Sequence, residues 1–271
     1  MNQQAISRIL TQIRQQQPLI HCITNPISIQ QCANTILAVG GRPMMAEHPQ
    51  EVAQITRTAG ALLLNLGNIT DIRMQSIGIS AETAAMANIP VVLDAVGIAC
   101  SQLRRNYTHA LLDKVTPTVI KGNYSEICAL YQNAYRSSGV DADASLDIPT
   151  IDHCALSLAR SRNTIMLASG KVDILTDGKR LLHIHNGTPQ LSAVTGTGCM
   201  LGALCAAYLT AERSLDAVIT ACAVLGISGE KAQTPKGNGT FFVNLMDALS
   251  TLSPKDICEH IKLEERSIEV I

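Results

Sequence analysis

Three short apolar runs, ALLLNLG at 61–67, PVVLDAVG at 90–97 and PTVIKGN at 117–123, each follow a segment of helical character. This alternation restricts the chain more than any other feature. A continuous apolar strand needs cover on both faces, and parallel neighbours need a crossover between them. Helix and strand in repeated succession therefore predict a largely parallel sheet, flanked by helices, with right-handed crossovers. Residues 3–16 carry Ile6, Ile9, Leu10 and Ile13 at helical spacing and stop before Pro18. SIQQCANTILAVGG is a second helix closed by Gly40 and Gly41, and PQEVAQITRTAG a third, opened near Pro49. In TIMLASGKVDILTDGKRLLHIHNG three strand-like pieces are divided by Ser-Gly and Asp-Gly turns, which predicts a hairpin edge on the parallel sheet. The remainder, including SLDAVITACAVLGISGEKAQ and FFVNLMDALSTLS, reads as a wholly helical C-terminal third. No repeat, linker or low-complexity stretch is evident, so a single α/β domain over 1–271 is expected.

Composition narrows the partners. Hydrophobic residues reach 46% while aromatics are only 3%, so Ala, Leu, Ile and Val must build the core. The net charge is -1 and no basic run occurs, so no nucleic-acid footprint is visible. Small molecules or further copies of the chain are the expected partners. Nine cysteines without a C-x-x-C pair suit neither a disulfide framework nor a zinc finger, and fit a reducing cytoplasm. Neither a signal-peptide core nor an apolar run of membrane-spanning length is found, so a soluble, unexported protein without a membrane partner is expected.

In open α/β sheets ligands bind beyond the carboxyl ends of the strands. Here those ends carry Asn65 and Gly67, Asp94 and Gly97, Lys121, Gly122 and Asn123, and Ser169 and Gly170. The stretch AVTGTGCMLGALCAAYL, 193–209, turns a glycine-threonine loop into a helix. Free backbone N–H groups at such a start attract an anion, and Gly196 and Gly198 allow close approach. It is not a Walker A loop, and G-x-G-x-x-x-G is a poor Rossmann fingerprint. Cys199 falls in the first helical turn, where a positive field is expected to lower its pKa and make it a base or nucleophile. The alternative is a packing turn with a small apolar side chain. His183 and His185 share a strand face but no third metal ligand is suggested, so they read as surface or edge residues. Met44 reads as strand core, and His21 as a group that orders the following TNP turn.

Four segments, HCITNPISIQQCANTILAVGGRPMMAEHPQEV, LDAVG, IKGNYSEI and VTGTGCMLGAL, together resemble the hydroxyethylthiazole kinases, the thiamine-salvage branch of the ribokinase-like proteins. The resemblance runs in register over nearly the whole chain. It implies a ribokinase-like fold and a cytoplasmic transferase that phosphorylates the hydroxyl of 4-methyl-5-(2-hydroxyethyl)thiazole with ATP and Mg²⁺. It implies an anion hole from Gly196, Thr197 and Gly198, with Cys199 beside the attacking alcohol where related kinases have aspartate. Whether Cys199 takes the proton or only positions the alcohol stays open. Asn25, Met45 and Gly196 match substrate-side positions, Lys121 and Ser169 match ATP contacts, and Asp94 and Glu126 match acidic groups that serve the metal. The family also implies a homotrimer with the thiazole pocket between subunits. Two positions depart from its pattern: Lys121 replaces the usual arginine and Ala95 the proline of D-P-V-G. Pyrimidine-alcohol kinases and hydrate dehydratases of the same fold carry aspartate at the Cys199 position. A non-catalytic nucleotide sensor would have no need of Asp94 and Glu126, and a thiol hydrolase would need a histidine base that no motif supplies.

Overall fold

The computed structural model describes residues 3–132 and 146–268. From the N-terminus run α1 (Gln3–Gln16), β1 (Leu19–Ile23), α2 (Ile29–Ala38), β2 (Arg42–Met44), α3 (Val52–Thr58), β3 (Ala61–Asn65), α4 (Asp71–Met86) and β4 (Val91–Asp94). Next come α5 (Gln102–Leu112), β5 (Val119–Asn123), α6 (Tyr124–Tyr131), α7 (Ile148–Arg162) and β6 (Ile165–Ser169). The chain continues through β7 (Asp173–Thr176), β8 (Leu181–Ile184), α8 (Pro189–Ser192), α9 (Thr197–Leu209) and α10 (Leu215–Ala232). It ends in α11 (Asn238–Thr251), α12 (Pro254–His260) and β9 (Leu263–Arg266). All strands join one sheet in the order β2-β1-β3-β4-β5-β6-β7-β8-β9, parallel from β2 to β6 and antiparallel beyond.

The period of two in the strands divides the core between two layers of helices. Ala61, Leu63, Val92, Val119 and Leu167 point to the side of α1, α2, α9, α10 and α11. Leu62, Leu64, Leu93, Ile120 and Met166 point to the side of α4, α5, α6 and α7. This is why the central strands are continuous apolar runs rather than alternating ones. In α1, Ile6, Ile9, Leu10 and Ile13 are all buried, as their spacing requires. Side-chain caps fix where several helices start: Thr70 accepts from Arg73 N–H, Ser101 from Arg104 N–H and Asn123 from Glu126 N–H.

The layer of greatest consequence is α9, buried on nearly every side between the sheet, α2 and α10. Gly202 lets it lie close: a Cβ there would stand 3.2 Å from Leu63 Cδ1 and 3.6 Å from Asp94 Oδ2.

Three expectations are corrected. The C-terminal third is not wholly helical, because Leu263–Arg266 forms β9 and pairs antiparallel with β8. Leu, Glu and Arg favour helices, but an open sheet edge offers this segment a backbone ladder, and its charges suit an edge position. His183 is buried against Asp152 on α7, with Nε2 to Oδ1 at 2.7 Å, so it is no surface residue. Met44 is 37% exposed on the outermost strand β2 and belongs to no core.

Candidate active site

The parallel register assembles a line of polar groups at the carboxyl ends of the strands. Asn65 pairs with Asp94 across β3 and β4, and Asp94 with Lys121 across β4 and β5. Paired residues in a sheet share a face, so three side chains otherwise far apart in sequence meet. Asn65 Nδ2 donates to Asp94 Oδ2 at 2.9 Å, and Lys121 Nζ donates to Asp94 Oδ1 at 3.1 Å. Asn25, after β1, extends the line: its Nδ2 donates to Asn65 Oδ1 at 3.1 Å. Its Oδ1 is spent locally, accepting the N–H groups of Ile27 and Ser28 at 3.1 Å each, which aims the amide nitrogen inward. All four residues are buried.

The start of α9 lies over this line. Gly196 is its N-cap with φ +91°, a conformation that suits glycine, and Met200 N–H to Gly196 carbonyl at 2.9 Å is the first rung of the helix. The N–H groups of Thr197, Gly198 and Cys199 precede that rung. The Thr197 hydroxyl donates back to the carbonyls of Leu191 and Val194, fastening the turn rather than serving the anion hole. Cys199 Sγ accepts from Asn25 Nδ2 at 3.5 Å and Asn65 Nδ2 at 3.4 Å. An ideal Cβ on Gly198 would stand 3.8 Å from Lys121 Nζ, which puts the ammonium directly beneath the turn.

Glu126 approaches from the other helical layer. It closes the capping box of α6, with Oε2 accepting Asn123 N–H at 2.7 Å, while Oε1 accepts Gly97 N–H at 2.7 Å. Burial, then the Asp94 carboxylate, push its carboxyl up to about 7. Burial also raises Asp94, against the opposing pull of Lys121 and Asn65. Burial disfavours the Lys121 ammonium, yet Asp94 and Glu126 outweigh it and hold the group charged above its usual range. Two carboxyl groups thus share one ammonium in the interior.

The helix start does not decide the state of Cys199. Burial, followed by the charge of Asp94, raises the thiol despite the lowering pull of Ser28, Lys121 and Asn25. The expected lowering by the helix field is therefore overturned, and the resting group is the thiol.

The remaining expected residues lie around this centre. Ser169 ends β6 opposite Asn123, and its hydroxyl donates to Gly122 carbonyl at 3.3 Å. Met45 is half-buried against the α9-side core, as is Cys199. His21 is buried and bonds Thr56 Oγ1 and Ala46 carbonyl at 2.9 Å each, so it orders the segment after β2 rather than the TNP turn. Burial lowers its pKa. Asn65 is the member that sequence reasoning leaves without a role. Its one signal is an amide closing the otherwise apolar run ALLLN.

Known proteins resemble this chain in sequence and in fold. The Hydroxyethylthiazole kinase family matches residues 10–255. Hydroxyethylthiazole kinase 2 of Clostridium botulinum (strain Hall) is 43% identical over 262 residues, covering 94% of this chain and 98% of that protein. Hydroxyethylthiazole kinase of Finegoldia magna is 39% identical over 258 residues, covering 95% and 96%. The solved structure of a hydroxyethylthiazole kinase protein from Pyrococcus horikoshii OT3 superposes with a TM-score of 0.89 at 31% identity, covering 97% of this chain and 100% of that one. Pyridoxal kinase from Staphylococcus aureus in complex with ADP, at 16% identity and a TM-score of 0.66 over 92% and 98%, shares the ribokinase-like fold. With a profile match over most of its length and close relatives spanned almost end to end, the chain belongs to the hydroxyethylthiazole kinase family.

Proposed function

We propose that the line Asn25–Asn65–Asp94–Lys121 and the turn before α9 form the site at which this kinase transfers the γ-phosphoryl group of ATP to the hydroxyl of 4-methyl-5-(2-hydroxyethyl)thiazole, a step of thiamine salvage. Family membership supplies the reaction. The observation that carries the assignment of the site is Cys199 Sγ, held by two amide donors on the first turn of α9, with the Lys121–Asp94 pair below.

Phosphoryl transfer asks mainly for alignment and charge neutralisation. The N–H groups around Gly196, Thr197, Gly198 and Cys199 receive the γ-phosphoryl oxygens, and Lys121 adds a full positive charge under them. Ser169 stands on the nucleotide side. Asn25, Met45 and Gly196 line the thiazole side. The alcohol oxygen bonds to the γ-phosphorus as the bridging bond to ADP breaks, and the hydroxyl proton passes late, after a loose transition state, to an oxygen of the transferred phosphoryl group. A strong base is then unnecessary, which suits a thiol: Cys199 fixes the alcohol by hydrogen bonding rather than by first removing its proton.

Asp94 and Glu126 offer hard oxygens and more negative charge than Lys121 balances, so their chemistry fits Mg²⁺. Each of their oxygens already accepts a hydrogen bond, from Lys121, Asn65, Gly97 or Asn123. Mg²⁺ held by Asp94 and Glu126 would therefore keep much of its water. When bound it neutralises phosphate charge. A homotrimer with the thiazole pocket shared between subunits belongs to the same reading, supported by Ile27, Ile29 and Met44, exposed apolar residues close in sequence to Asn25 and Met45. No described helix is long and apolar enough to cross a membrane, and a cytoplasmic site of action completes the proposal.

The test is ADP release in a coupled assay against small alcohols. Turnover of hydroxyethylthiazole above a hydroxymethylpyrimidine is expected; turnover of the pyrimidine alone would overturn the assignment. Sedimentation of an active monomer would exclude the shared pocket.

A further inference from the structure

At the far edge of the sheet β8 and β9 bring together groups that phosphoryl transfer does not use. His183 lies on β8 and His185 just past its end, where its N–H still donates to the Lys262 carbonyl at 2.9 Å, so the two side chains share a face. The antiparallel register sets Glu264 opposite His183. One ligand atom from each of His183, His185 and Glu264 lies within 4.8 Å of the others, and no other trio of His, Cys, Asp or Glu among the described residues comes together in this way. His185 Nε2 already meets Glu264 Oε2 at 3.2 Å, while Arg266 pairs with the other oxygen at 2.6 Å.

Asp152 gives the cluster its direction. Its buried carboxylate can only accept a hydrogen bond, so the 2.7 Å contact places the hydrogen on His183 Nε2. The lone pair of that imidazole is then on Nδ1. A carboxylate that fixes the tautomer of a histidine in this manner is the usual support of a metal-bound imidazole.

We propose that His183, His185 and Glu264 are the ligands of a divalent transition-metal site, with Asp152 orienting His183. Two imidazoles and one carboxylate select zinc, nickel or copper over magnesium or calcium. His185 and Glu264 are part-exposed, so water fills the remaining coordination. Such an ion links the last strand of the described chain to its neighbour and takes no part in phosphoryl transfer.

The experiment is titration of the full-length protein with Zn²⁺ alone, followed by calorimetry and by the change in Tm, with Co²⁺ absorption to identify the ligands. One saturable site and a raised Tm are expected. His185→Ala should weaken binding at least tenfold and abolish the Tm rise while kinase turnover is unchanged, and Asp152→Asn should weaken it ten- to hundredfold. Glu264→Gln, at an exposed position, repeats the test where folding is not at risk. Absence of saturable binding at micromolar Zn²⁺, binding undiminished in both His185→Ala and Glu264→Gln, or a thiolate-to-cobalt charge-transfer band would overturn the site.

Discussion

The carboxyl ends of β3–β5 and the edge formed by β7–β9 use the same device with opposite results. In both, strand register sets charged or polar side chains opposite each other: Asn65, Asp94 and Lys121 in one, His183 and Glu264 in the other. The first group is buried under α9, where loss of Lys121 strands the Asp94 carboxylate. At the edge, Arg180 pairs with Glu265 and Arg266 with Glu264, all open to solvent. Water screens those pairs and leaves them worth little. Burial, more than pairing, decides which polar groups govern stability and chemistry.

The sharpest way to break this comparison is Lys121→Met, which leaves Asp94 and Glu126 without their cation. A loss of about 3–5 kcal/mol in denaturant unfolding, with turnover abolished, is expected; a loss as small as that of an edge pair would erase the distinction. Next is the pH dependence of the metal-free protein. Glu126 titrates near 7 folded against an ordinary 4.5, so the unfolded chain ionises first. Its contribution to stability is full below the unfolded value and is lost as pH rises towards 7, a fall on the order of 3 kcal/mol that Glu126→Gln should remove from the melting profile. Cys199→Ser should lower kcat by about ten- to a hundredfold, ~1.4–2.7 kcal/mol in the barrier, while KM holds. A kcat that rose with pH through a thiol titration would make Cys199 a base instead of a positioning group. Gly196→Ala should cost about 1–2 kcal/mol by strain at positive φ, since its Cβ also meets Ser28 Cβ at 3.3 Å. Smallest of all, Arg180→Ala at the edge should change stability by less than about 1 kcal/mol.

The same contrast separates what the sequence reveals from what it hides. Continuous apolar runs, glycine stops and the TGTGC turn are local signals, and the strand ends and the starts of α1 and α9 follow from them. The role of Asn65 depends on register with Asp94, 29 residues away, which no local pattern encodes. The state of Cys199 depends on burial and Asp94, which outweigh the helix start that a motif displays. β9 is hidden for a similar reason: helix-forming residues become a strand because a sheet edge is there to receive them.

The carboxyl group of Glu126 holds the amide of Asn123 with one oxygen and that of Gly97 with the other. It thereby joins the first turn of α6 to the turn after β4. Whatever changes the charge of that carboxyl also changes how firmly two backbone protons are kept from water. Their rates of hydrogen–deuterium exchange are therefore a native gauge of the charge state of the site, readable without any label and without turning the enzyme over.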